Sequence, residues 1–110
     1  VINDTYCKKL IIVLPGQIHP EQYHKQKQET FMVLSGELNL YLMYSNHAEH
    51  KIMKRGDVYT IHPEVKHAFK SNTGCIIEEL STTHYPNDSF YTDENIEKTP
   101  NRKTVVNYWL

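Results

Sequence analysis

The sequence predicts an all-β domain, a sandwich or a barrel, on three observations. Its apolar stretches are short and rich in β-branched and aromatic residues. Turn signals separate them at regular intervals, and no helical period appears before residue 85. The 110 residues amount to a single domain, 1–110, large enough to bury a core without covalent staples.

Leu10 to Leu14 is the first apolar stretch, and Pro15-Gly16 ends it. The run His19 to Glu29 is polar but lies between apolar strands. In an extended chain Gln22 and His24 face the same side. Phe31 to Leu34 follows, with Glu29, Phe31 and Val33 on one parity, and Ser35-Gly36 reads as a break. Leu38, Leu40 and Leu42 alternate with Glu37, Asn39 and Tyr41, a period of two with one face buried. Ser45-Asn46 then opens a polar hairpin loop whose His47 and His50 are expected in solvent. After Arg55-Gly56-Asp57 come Val58 to Ile61, the His62-Pro63 turn, and His67 with Phe69 at strand spacing. Asn72-Thr73-Gly74 precedes Cys75 to Leu80. Residues 85–103 turn polar and are expected to run over the surface. They end in the apolar Thr104 to Leu110, which needs cover from a sheet edge of its own chain or of a second copy.

Composition narrows the function. With 12 Lys+Arg against 13 Asp+Glu, the net charge of −1 lacks the basic excess that a nucleic-acid binder requires. No apolar run approaches the roughly 20 residues of a membrane span. Two cysteines, Cys7 and Cys75, read as ordinary buried thiols in a reducing cytoplasm rather than a disulfide framework. Seven histidines are a large share for this length, and imidazole is the commonest transition-metal ligand. His24, Glu29 and His67 converging inside a small barrel would suit Mn, Fe, Ni, Co or Zn, with positions open for a substrate oxygen. His19 stands at an odd offset from His24 with Pro20 between, which directs it elsewhere. His62 and His84 read as surface or hydrogen-bonding residues.

From Gly16 to Gly36 the chain resembles the first motif of the cupins. Gly16, Gln22-Tyr23-His24, Glu29 and Gly36 keep its register, and Gln22 stands where the motif has its first histidine. Gly56-Asp57 to Ser71 is similar to the second motif, with His67 as its ligand. His62 and Glu64 replace the usual Pro and Gly. Within the superfamily, Lys27-Gln28-Glu29-Thr30-Phe31, Tyr59-Thr60-Ile61, Lys66-His67 and Glu79-Leu80-Ser81-Thr82 resemble the small D-lyxose isomerases. The run Glu78 to His84, with Asn87-Asp88-Ser89 and Asn101 to Thr104, is also similar to the cupin module appended to bacterial sialic-acid (N-acetylneuraminate) synthases.

The resemblance implies a jelly-roll barrel, or double-stranded β-helix, with a divalent metal held by His24, Glu29 and His67 and with Gln22 at the fourth place. It also implies Glu79 as a catalytic base and Lys27, Tyr59 and Phe69 as sugar contacts. Glu78 and Glu79 are adjacent on one strand, so only one of them faces the cavity. Three functions follow. The first expectation is a sugar- or sugar-acid-binding module, metal-dependent or metal-derived, at the C-terminus of a sialic-acid synthase whose catalysis lies elsewhere. The start at Val1, without an initiator Met or a signal peptide, favours it. The alternatives are a free-standing D-lyxose-type aldose–ketose isomerase and a metal-free binding or dimerisation domain. A homodimer through sheet-edge pairing is expected, with the C-terminal segment as a candidate for exchange.

Overall fold

A computed structural model describes residues 1–82 and 87–92 of the chain. These residues form eight strands: β1 (Tyr6–Val13), β2 (Ile18–His24), β3 (Glu29–Met43), β4 (Ala48–Lys54), β5 (Val58–Ile61), β6 (Lys66–Lys70), β7 (Cys75–Thr82) and β8 (Ser89–Tyr91). All pairings between them are antiparallel. One wall runs β1-β7-β3-β5 and the other β8-β2-β6-β3-β4, so the long β3 belongs to both. This is the curled jelly roll expected of a cupin. No helix of the described residues is long and apolar enough to cross a membrane.

Period-two burial builds the walls. On β7, Cys75, Ile77, Glu79 and Ser81 are buried, while the residues between them are more exposed. Leu38, Leu40 and Leu42 are all but inaccessible. They pack with Val13, Phe31, Val33, Met53, Ile61, Phe69, Cys75 and Ile77 as the core. Both cysteines are free and buried.

Four local expectations need correcting. Ser35-Gly36 does not end a strand. β3 runs through it with a register shift against β7 between Val33 and Ser35. Gly36 has φ 81°, and a Cβ there would collide with the Gly74 carbonyl and crowd Cys75. Only glycine lets one strand turn from wall to wall at that point.

The polar stretch that reads as a hairpin loop is β4. His50 lies on its outer face, stacked 4.5 Å from the Tyr41 ring, with Nε2 2.9 Å from Asn39 Oδ1. His47 stays in the turn and stacks on Tyr44. His19 does not point away from the interior, because a register shift between His19 and Gln22 undoes the odd offset. Its ring stacks on buried Phe69 with centroids 4.2 Å apart. Finally, the polar stretch after residue 85 is not all surface excursion. Ser89–Tyr91 pairs with β2 as β8, and Asp88 is buried. His84 and Thr104 to Leu110 lie outside the described residues.

Candidate metal centre

Strand register brings the polar residues to one end of the barrel. Two inward rows cross the first wall there: Cys7, Ser81, Glu29 and Ile61, then Lys9, Glu79, Phe31 and Tyr59. The opposite wall contributes His24 from the end of β2 and His67 from β6. His24 Nε2 lies 2.6 Å from Glu29 Oε1, and His67 Nε2 lies 3.3 Å from the same oxygen. The ligand atoms of the three residues all fall within 4.8 Å of one another, and all three residues are buried.

Hydrogen bonds on the far side of each ring define what faces the centre. His24 Nδ1 lies 3.0 Å from the Asp88 carbonyl, and His67 Nδ1 lies 2.9 Å from the Val65 carbonyl. A carbonyl only accepts, so each Nδ1 donates its proton outward and each ring turns Nε2 inward. Those two nitrogens and Glu29 Oε1 are buried and face one another. Acceptor atoms crowded this closely repel one another unless a cation, either a proton on an Nε2 or a metal ion, lies between. This donor set fits a divalent metal. Two imidazoles and a carboxylate with open positions suit the borderline and harder transition ions, and carbonyl-anchored Nδ1 atoms are the usual support of metal-bound histidine.

A second carboxyl and a buried cation adjoin this set. Lys27 Nζ lies 3.9 Å from Glu29 Oε2 and 4.0 Å from Glu79 Oε2. Burial raises the Glu29 carboxyl, but hydrogen bonds with His24, His67 and Glu79 outweigh burial and hold it below the usual carboxylate range. Burial and the adjacent Glu29 push Glu79 up to about 8, against the pull of Lys27 and Lys9. The two acids thus have widely separated proton affinities at one site.

Of the adjacent pair on β7, Glu79 faces inward and is buried, whereas Glu78 faces outward and pairs with Lys8 at 3.5 Å. Gln22 stands opposite His67 in the β2–β6 ladder, so the two side chains share the inner face. Tyr59 also lies on the inner face, but its hydroxyl is 3.2 Å from that of Tyr44 and its ring lies under Lys51. Phe69 is 3% exposed and meets Phe31 edge-on with centroids 5.5 Å apart. The structure therefore groups His24, Glu29, His67, Lys27 and Glu79, and it sets Phe69 in the core. Sequence reasoning missed Lys9 and Asp88. Lys9 becomes visible only once β1 is registered against Glu79, and Asp88 only once β8 is docked on β2.

The cupin domain model matches residues 9–77, well over half of the chain. The chain belongs to the cupin family. A D-lyxose/D-mannose isomerase from Thermosediminibacter oceani is 30% identical to this cupin over 91% of the chain and 68% of the relative. A D-lyxose ketol-isomerase from Thermofilum sp. is 29% identical over 91% of the chain and 69% of the relative. The L-ribose isomerase of Cellulomonas parahominis superposes with a TM-score of 0.72 at 19% identity. That superposition spans 83% of this cupin and 60% of the isomerase chain, and it speaks to the fold. The curated relatives favour a sugar-isomerase reading, and the sialic-acid synthase module draws no support from them.

Proposed function

We propose that this cupin is a metal-dependent aldose–ketose isomerase acting on a small sugar of the D-lyxose or D-mannose type. One observation carries the reading: two imidazoles and a carboxylate converge beside a second, separately tuned carboxyl, on a chain with D-lyxose isomerase relatives.

His24, Glu29 and His67 would hold the metal, with Gln22 supplying an amide oxygen at the fourth place. When bound, Mn, Fe, Ni, Co or Zn would orient two adjacent substrate oxygens and polarise the carbonyl. Glu79 takes the proton from C2 of the aldose and returns it to C1 of the ketose, while a second proton passes from O2 to O1. A carboxyl pushed up to about 8 serves both directions near neutral pH. Lys27 lies within ion-pair reach of both Glu29 and Glu79 and offers an ammonium donor to a substrate hydroxyl. Its burial fixes that donor in place.

The full chain, loaded with Mn²⁺, Co²⁺ or Zn²⁺ in turn, is expected to convert D-lyxose or D-mannose to the corresponding ketose. Glu79→Gln should remove turnover and keep stoichiometric metal. Metal-loaded protein that leaves both sugars unchanged would overturn the isomerase reading.

The same reading includes a homodimer. Leu10, Leu80 and Val58 are exposed on the outer side of the β1-β7-β3-β5 wall around the Lys8–Glu78 pair, a mixed apolar and charged surface able to meet a copy of itself. Light scattering at micromolar concentration tests this, and a monomer removes the dimer.

A further inference from the structure

Asp88 lies just before β8, is 5% exposed, and bonds through both its carboxylate and its carbonyl to the residues around the metal centre. Its carboxylate gathers three consecutive backbone N–H groups. Lys25 donates to Oδ1 at 3.1 Å, Gln26 to both oxygens at 3.2 and 3.3 Å, and Lys27 to Oδ2 at 3.0 Å. Its main-chain carbonyl accepts the His24 Nδ1 proton at 3.0 Å. Ser89 Oγ, 3.4 Å from the same nitrogen, sits beside that bond. One residue therefore grips the loop between His24 and Glu29 along most of its length, from 61 to 64 positions away in sequence. The loop's last residue is held separately, with the Gln28 N–H donating to Thr82 Oγ1 at 3.1 Å.

We propose that Asp88 is a positioning residue of the metal centre. Its carboxylate sets the backbone from which Lys27 reaches Glu29 and Glu79, and its carbonyl selects the His24 tautomer that turns Nε2 inward. The inference rests on reading His24, Glu29 and His67 as that centre. Charge-assisted bonds to three adjacent N–H groups give the hold its strength, and groups that orient metal-bound histidines influence affinity through those ligands. A simple loop anchor would act equally on everything nearby. Here a built-in control exists, because His67 takes its carbonyl from Val65 and not from Asp88.

The test follows imidazole nitrogens by long-range ¹H–¹⁵N correlation in the metal-free full chain, and Mn²⁺ affinity by electron paramagnetic resonance. Wild type should show both rings protonated at Nδ1. Asp88→Ala keeps the carbonyl but releases the loop that holds His24 against it, so it should move His24 to a mixture of tautomers, leave His67 unchanged, and weaken Mn²⁺ binding about 10- to 100-fold. Asp88→Asn, which keeps one acceptor oxygen, should fall between. Unchanged His24 signals with unchanged Mn²⁺ affinity overturn the proposal, and so does an equal change at His24 and His67, which marks general loosening. If Asp88→Ala does not fold, Asp88→Asn decides by the same contrast between the two rings. If wild type takes up none of Mn²⁺, Co²⁺ and Zn²⁺, the metal reading fails, while the His24 signals still decide the role of Asp88.

Discussion

The two ends of the barrel are made by the same strands yet differ in kind. Read from the apolar end, the inward side of β7 runs Cys75, Ile77, Glu79, Ser81, that of β1 runs Val13, Ile11, Lys9, Cys7, and that of β6 runs Phe69, His67. Apolar residues fill the first half of each run and polar or ionisable residues the second. The apolar end gains free energy by leaving water. The polar end pays to desolvate its ionisable groups and recovers this only through their contacts with one another. A rigid apolar half is what allows the other half to hold crowded donor atoms at fixed separations.

Substitutions at the two ends should therefore fail differently. Glu29→Gln has the largest expected effect: stoichiometric metal uptake is lost, and with it the stabilisation gained on adding metal. Elemental analysis and calorimetry check both halves, and a variant that still gains stability from added metal would erase the contrast between the ends. Leu40→Ala should do the reverse. It costs about 2–5 kcal/mol in urea unfolding, yet the stabilisation gained on adding saturating metal should match that of wild type.

Gln22→His comes next. An imidazole in place of an amide at the fourth position should tighten metal binding about tenfold, near 1.4 kcal/mol, and an unaltered affinity would put Gln22 outside the coordination sphere. The smallest effect lies in the β5–β6 turn. Glu64 has φ 71°, in the left-handed region, where the cupin motif favours glycine. Glu64→Gly should raise stability by about 1 kcal/mol by relieving that conformation, with metal affinity unchanged.

Much of this was legible before folding. Alternation in Leu38, Leu40 and Leu42 placed the core, and the Gly16–Gly36 and Gly56–Ser71 spacings pointed to His24, Glu29 and His67. What escaped was whatever depended on a second strand. Ser35-Gly36 looks like a turn until Gly74 is brought against it. His19 looks outward until a bulge restores its phase, and β4 hides because a strand with one wet face reads like a loop.

Residue type and spacing dictated the strand class, the inward parity and the identity of the donor atoms, since these follow from local geometry along one chain. Which of Glu78 and Glu79 reaches the centre, how both imidazoles are held with Nε2 inward, and that Asp88 secures the loop of Lys27 were decided only by packing. Each depends on hydrogen bonds or register between segments far apart in sequence, and no short stretch of residues encodes such a contact.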